Sequence, residues 1–145
     1  MNILPTMIWK RKISLAELNQ KCQNTLVEHL GITFTEMGKD HLIAQMPIDP
    51  RTIQPMGIVH GGATAALAET VANAAANCCV EEGKIAVGLE LNINHIRAGT
   101  KGLLTAHTKP LHLGKSTQVW EIKIMNEEGQ LPSAARLTIA IIAKS

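Results

Sequence analysis

The sequence predicts an α+β fold in which an antiparallel sheet wraps around one long buried helix. Eight of the eighteen residues at 62–79 are Ala, and Glu69 is the only charged residue among them. Ala is the best helix former, and a helix that is apolar on nearly every face is buried. Four apolar segments separated by glycine turns follow this helix, which predicts a four-stranded antiparallel meander packed against it.

The other elements follow in chain order. Ser14 and Glu17 have the spacing of a capping box, which predicts a helix over 14–29. Two strands are predicted over 32–37 and 41–48, and prolines at 47 and 50 then end regular structure. The strands after the central helix are predicted over 85–98, 101–110, 116–126 and 133–143, giving a sheet of five to six strands.

Length and composition exclude several classes of protein. A chain of 145 residues forms one domain over 1–145, with 1–13 as an extension and lead-in. A net charge of +2 is too small to imply a nucleic-acid or membrane partner, and the three aromatic residues offer no platform for stacked bases. Three cysteines without metal-ligand spacing argue against a disulfide framework or a metal site. We find no signal peptide or membrane span, and we expect a cytoplasmic protein.

Two features of the central helix predict chemistry. His60, Gly61 and Gly62 precede it, and the first N–H groups of a helix have no internal partner and carry the positive end of its dipole. A Gly-Gly turn here is either purely structural or a cradle for an oxyanion. Glu69 has no basic residue at helical spacing, so it is partnered, protonated or functional. The stripe that it forms with Asn73 and Asn77 otherwise faces solvent or a subunit seam.

The helix geometry limits how these features cooperate. Glu69 lies eight residues after Gly61, which is about 12 Å along a helix axis. A reacting carbonyl must lie about 3 Å from both its oxyanion donor and the attacking group, so one helix cannot supply both. Two antiparallel copies related by a two-fold axis can. If the site is catalytic, the sequence therefore predicts that it lies between subunits.

Several segments resemble one family closely. The residues RTIQPMGIVHGG at 51–62 and LAET at 67–70 resemble the hot-dog-fold acyl-CoA thioesterases. The nearer likeness is to bacterial 1,4-dihydroxy-2-naphthoyl-CoA hydrolases of menaquinone biosynthesis and to the related proofreading thioesterase of the enterobactin pathway. The resemblance continues through MIWK at 7–10, VGLE at 87–90, KPLHLG at 109–114, QVW at 118–120 and RLT at 136–138. It leaves Met1–Thr6 outside, as an extension or a misassigned start.

The resemblance implies catalytic roles in the hydrolysis of an acyl-CoA, with an aromatic acyl group, to free acid and CoA. Glu69 is implied as nucleophile or general base, and the Gly61 N–H as the group that polarises the thioester carbonyl. His60 is implied to support that oxyanion hole, and Gln54 to orient substrate or water. Relatives often carry a small hydroxyl residue one turn after the glutamate, where it helps to place the water; here that residue is Asn73.

The resemblance also implies the binding partners. We expect CoA contacts from one strand position and two segments. The strand position is Gly88, and the segments are His95, Ile96, Arg97 and Ala98, and His112, Leu113, Gly114, Lys115, Ser116 and Thr117. It implies no metal or redox cofactor, with coenzyme A present only as part of the substrate. It implies a homodimer joined edge to edge that pairs into a homotetramer. Two alternatives stay open: a hydratase or dehydratase of the same fold, and a non-catalytic acyl-CoA-binding protein.

Overall fold

The computed structural model describes residues 7–145, so the predicted extension at Met1–Thr6 lies outside the described residues. Two short helices are followed by two strands, one long helix and four more strands. In chain order these are α1 Leu15–Lys21, α2 Leu26–His29, β1 Thr33–Met37, β2 Leu42–Pro47, α3 Gly61–Cys78, β3 Lys84–His95, β4 Leu103–Leu113, β5 Thr117–Met125 and β6 Ser133–Ala143.

All six strands form one antiparallel sheet in the order β1-β2-β4-β5-β6-β3. The helix α3 packs against β2, β3, β4, β5 and β6, so the sheet curves around it. Leu67 and Val71 of α3 are fully buried against inward side chains such as Trp120 and Leu137, which alternate with outward residues along their strands. The predicted α+β architecture, a sheet wrapped around a central helix, is confirmed.

The helix predicted over 14–29 is wrong in its middle. The capping box is present: Ser14 Oγ accepts from the Glu17 N–H, and Glu17 accepts from the Ser14 N–H at 2.7 Å. The helix ends at Lys21, however, because Asn24 adopts φ 62°, a left-handed conformation that a helix cannot continue. Thr25 then caps the separate helix α2.

The four-stranded meander is also wrong, because only β4, β5 and β6 follow one another in the sheet. β3 pairs with β6 and forms the edge opposite β1. It ends at His95 instead of residue 98, which leaves residues 96–102 as a connection across the end of the sheet. Seven residues reach about 23 Å, enough to pass the two intervening strands, a distance of about 14 Å. The gap of two residues in the sequence prediction was too short to show this crossover.

Candidate active site

Glu69 lies in the middle of α3, and its carboxylate approaches β3. Glu69 is exposed in this chain, although the helix around it is buried. A Cβ added at Gly88 would lie only 2.6 Å from Glu69 Oε1, so the carboxylate sits directly against the glycine backbone. Gly88 is also the position where the register of β3 shifts. The missing side chain and the irregular strand together make room for the carboxylate.

Glu69 stands at one side of a cavity of about 560 Å³ that follows α3 toward its C-terminus. Most of its lining is apolar or neutral, including Ile13, Leu18, Val27, Phe34 and Ala74. Cys78 also lines it, and burial raises the pKa of this thiol, which keeps it neutral. The glutamate therefore borders a chamber that suits a largely apolar group.

The two asparagines that follow Glu69 on the helix join α3 to the outer edge of β3. Asn77 Nδ2 donates to the Ala86 carbonyl at 3.0 Å, and Asn77 Oδ1 accepts from the Ala86 N–H at 2.9 Å. Asn73 Nδ2 donates to the same carbonyl at 3.3 Å, and its Oδ1 accepts from Asn77 at 3.0 Å. The polar stripe predicted from the sequence thus satisfies a strand edge, and Asn73 has a structural role whether or not it also places a water molecule.

The start of α3 presents an unpaired backbone donor. His60 is the N-cap, and its Nδ1 accepts from the Gly62 N–H at 2.8 Å. The carbonyl of His60 accepts from the N–H groups of Ala63 and Thr64. Among the residues that the structure describes, no acceptor receives the Gly61 N–H. His60 therefore satisfies its neighbour and leaves Gly61 as the free donor at the positive end of the helix.

Gln54 lies beside this helix start in the turn that precedes it. Its side-chain oxygen accepts from the Met56 N–H, and its backbone bonds to Ile58 and Gly57. The acceptor end of the carboxamide is thus occupied within the turn. The NH₂ end has no acceptor within residues 7–145, so its hydrogens are available as donors.

A second cleft, of about 280 Å³, brings Gln54 and Gly61 together with residues from the ends of β3 and β6. His95 is the last residue of β3, and its Nε2 would lie 2.9 Å from a Cβ added at Gly61. His95 Nδ1 is 3.0 Å from Ser133 Oγ. Arg97 also lines this cleft, but from the connection after β3, because the strand predicted to run to residue 98 ends at His95.

One chain does not bring all the predicted site residues together. Glu69 and Gly88 line the larger cavity, whereas Gln54, Gly61 and His95 line the smaller cleft near the start of α3. The predicted CoA segments are also separated. Residues 95–98 lie at the start of α3, while the turn between β4 and β5 shares a third cleft with residues 79–81 just beyond the end of α3. The separation agrees with the 12 Å argument from the sequence.

Ser133 is the residue of this region that the sequence analysis missed. It is only 2% exposed, and it lies on the inward face of β6, followed at every second position by Ala135, Leu137 and Ile139. A hydroxyl among apolar inward positions is a signal of a buried polar contact, and it could have been found by following the alternation of this strand.

Neither a membrane-spanning helix nor a metal-binding cluster occurs in the described residues. No helix in residues 7–145 has the length and apolar character needed to cross a membrane. Within the same residues, no group of three or more His, Cys, Asp or Glu side chains is arranged to hold a metal ion.

Comparisons with known proteins place this fold in one class. Residues 56–133 match the family model described as the thioesterase superfamily. The crystal structure of a thioesterase from Haemophilus influenzae superposes with a TM-score of 0.93 at 47% identity, covering 94% of this chain and 96% of that one. A thioesterase variant from Pseudomonas aeruginosa gives 0.92 at 38% identity, covering 94% of this chain and 99% of that one. The fold and these matches define a hydrolase of thioesters with a hot-dog fold.

The chain belongs to the thioesterase superfamily. Among its curated relatives is the 1,4-dihydroxy-2-naphthoyl-CoA hydrolase of Escherichia coli K12, which is 47% identical over 136 residues. The alignment covers 94% of this chain and 100% of that relative. The predicted family and the predicted enzyme class are therefore confirmed.

Proposed function

We propose that this protein hydrolyses an aromatic acyl-CoA to the free acid and CoA, at sites built between two copies of the chain. The observation that carries the proposal is a pair of contacts made by Gly88 and His95, which lie seven residues apart along β3. Gly88 lies against the Glu69 carboxylate, and His95 lies against Gly61, the residue whose N–H is free. When a second copy of β3 pairs in the opposite direction, the Gly88 region of one copy lies beside the His95 region of the other. The Glu69 carboxylate of one subunit is then near the Gly61 donor of the other.

The edge of β3 is suited to such pairing. Its outer side has no partner strand within the described residues. Antiparallel pairing about a two-fold axis at Asn92 sets Leu91 against Ile93 of the partner subunit, and both positions face the core. The same register sets the irregularity at Gly88 beside His95 of the partner subunit.

Asn77 restricts which part of this edge a partner can use. Its carboxamide occupies both the N–H and the carbonyl of Ala86, which point away from β6. An edge that is already hydrogen-bonded cannot accept another strand, so pairing is confined to the part of β3 after residue 86. That part contains both Gly88 and His95.

The chemistry follows from the free groups. The thioester carbonyl accepts from the Gly61 N–H and from the Gln54 carboxamide, which stabilise the negative charge that develops on its oxygen. Glu69 of the other subunit either removes a proton from the attacking water or attacks the carbonyl carbon itself. In the first route water adds to the carbonyl carbon as the carbon–sulfur bond breaks. In the second, Glu69 replaces the sulfur to form an anhydride, and water then hydrolyses the anhydride and frees Glu69. In both, the sulfur leaves as CoA thiol after gaining a proton.

The substrate class is supported by the larger cavity and by one relative. The apolar lining of the 560 Å³ cavity beside Glu69 suits an aryl group. A relative at 47% identity bears the name 1,4-dihydroxy-2-naphthoyl-CoA hydrolase, which favours an aromatic acyl-CoA and a role in menaquinone biosynthesis. We propose that the CoA portion contacts residues 95–98 and 112–117 from different subunits, in a cytoplasmic enzyme whose dimers pair into a tetramer.

The test is release of thiol from benzoyl-CoA and from a panel of aryl- and alkyl-CoA substrates, compared by kcat/KM. Glu69→Gln should lower kcat by at least about a hundredfold while the fold and CoA binding persist. Glu128→Gln, in the exposed turn before β6, is the matched control and should match the wild type. Retention of most of the turnover in Glu69→Gln would refute the assignment, and absence of thiol release from every substrate would refute hydrolysis.

A further inference from the structure

The ring of His95 is directed at the start of α3, toward the free donor of the proposed site. Its Nε2 would lie 2.9 Å from a Cβ at Gly61, and its Cδ2 would lie 3.3 Å from the same point. Any side chain at position 61 would collide with this ring. The glycine therefore serves two purposes: it leaves the backbone N–H exposed, and it gives the imidazole room at the start of α3.

Ser133 determines which ring nitrogen carries the hydrogen. Its side chain is buried, and its Oγ takes part in one side-chain hydrogen bond within the described residues, the 3.0 Å contact to His95 Nδ1. A buried hydroxyl hydrogen needs an acceptor, and Nδ1 is the one that this hydroxyl reaches. When Nδ1 accepts, the neutral ring carries its hydrogen on Nε2. The nitrogen nearest Gly61 is then a donor.

Three potential donors thus lie on one cleft. The Gly61 N–H, the His95 Nε2–H and the Gln54 NH₂ group line the same 280 Å³ space. A group that fits several donors is an oxygen that gains negative charge during reaction, and the thioester carbonyl is such a group. Resting on the proposed function, we infer that His95 is a catalytic residue that donates to the carbonyl oxygen through Nε2, and that Ser133 is the positioning residue that fixes this tautomer.

For His95 this role takes the place of the CoA contact proposed for residues 95–98, and it differs from a phosphate contact in what it predicts. A histidine that holds a CoA phosphate contributes to binding, so its loss raises KM and has no effect on a substrate without the nucleotide. An oxyanion donor acts most strongly in the transition state, so its loss lowers kcat for both substrates. The two roles therefore separate in steady-state kinetics with an acyl-CoA and the matching acyl-pantetheine.

The kinetic test compares His95→Ala, His95→Gln and Asn94→Ala. His95→Ala should lower kcat about a hundredfold on both substrates and change KM less than about threefold, as for loss of one oxyanion donor. His95→Gln should recover at least about tenfold over His95→Ala, because its amide N–H lies near the position of Nε2–H. Asn94→Ala, the preceding position on the opposite face of β3, should retain wild-type kcat. A rise in KM confined to the acyl-CoA would overturn the inference in favour of phosphate binding.

The tautomer can be read without activity, from the NMR shifts of the imidazole nitrogens in the wild-type protein with a neutral ring. In the wild type we expect the hydrogen on His95 Nε2. Ser133→Ala should show a mixture of tautomers and a several-fold lower kcat. Ser133→Thr, which keeps the hydroxyl, should restore the single tautomer and the wild-type kcat. Hydrogen on Nδ1 in the wild type would overturn the inference even if the variants failed to fold. If His95→Ala is fully active and Glu69→Gln is inactive, the catalytic role of His95 is refuted while the proposed hydrolysis stands.

Discussion

Replacing Gly88 with Ala should displace the carboxylate of Glu69, the proposed catalytic group, without damaging the fold. The new Cβ would lie 2.6 Å from Glu69 Oε1 and 3.5 Å from Leu137 Cδ1. The second distance is an ordinary contact, so only the carboxylate is too close. Because that carboxylate is the end of a flexible side chain, it moves and the backbone stays in place.

The size of the effect follows from the distance. A methyl carbon and a carboxylate oxygen come no closer than about 3.3 Å, so Oε1 must shift by about 0.7 Å. Misplacement by 1 Å costs up to about a hundredfold in rate, so kcat should fall between about tenfold and a hundredfold, or about 1.4–2.7 kcal/mol. Gly88 does not have a positive φ, so Ala is compatible with its backbone and should leave the unfolding midpoint unchanged or slightly raised.

A double-mutant cycle shows whether the effect acts through Glu69. We would measure kcat and KM for Gly88→Ala in the wild-type and Glu69→Gln backgrounds, with thermal unfolding of each protein. The substitution should lower kcat in the wild type and have little further effect when Glu69 is already replaced. An equal loss in both backgrounds, or a rise in KM without loss of kcat, would show that Gly88 acts through CoA binding and refute the reasoning.

Two further predictions concern stability. Asn77→Ala removes the carboxamide that pairs both backbone groups of Ala86. The free energy of unfolding should therefore fall by about 1–3 kcal/mol, and the unfolding midpoint by several degrees at fixed protein concentration. An unchanged midpoint would contradict this role. Burial, and then the nearby His41, lower the pKa of His107. The unfolded chain therefore binds this proton more readily, and stability should decline as pH falls below about 6.5. The decline should be smaller in His107→Gln, and equal declines in both proteins would count against it.

The central helix was predictable because its sequence is locally consistent. A run of Ala with apolar residues on all sides predicts a buried helix from propensity and periodicity, and the structure places it at Gly61–Cys78, one residue from the prediction. Glu69 was identified for the same reason, since a charge stands out where every neighbour is apolar. The sequence left open whether Glu69 faces solvent, because that depends on how β3 packs beside it.

The position of β3 could not be read from the sequence, because strand order is a non-local property. The segment after the helix has the same pattern of apolar residues whether it pairs with β4 or with β6. What decides between them is the crossover at residues 96–102, whose backbone bonds to Pro132, Val59 and Ile48. Ser133 was missed for a related reason: its importance appears only when β6 is set beside His95.

The most direct test of the two-chain site is rescue of activity between two inactive parents. One parent is Glu69→Gln, and the other is Gly61→Pro, which deletes the free N–H. Pro is tolerated at the first helical position, and His60 already has the extended ψ of 128° that a following Pro requires. The proline ring also pushes against His95, but His95 and Gly61 lie in the same subunit's part of the site, so the complementation logic is unchanged.

In a mixed dimer, one of the two sites carries both lesions and the other has an intact Glu69 opposite an intact Gly61. After co-refolding, half of the dimers are mixed and each has one good site, so thiol release should reach about a quarter of the wild-type rate per chain. Circular dichroism establishes that both parents are folded, and subunit exchange is followed with a mass-tagged parent. Recovery near a quarter is the result that a site between subunits predicts; no recovery from folded parents that exchange subunits would show that the site lies within one chain.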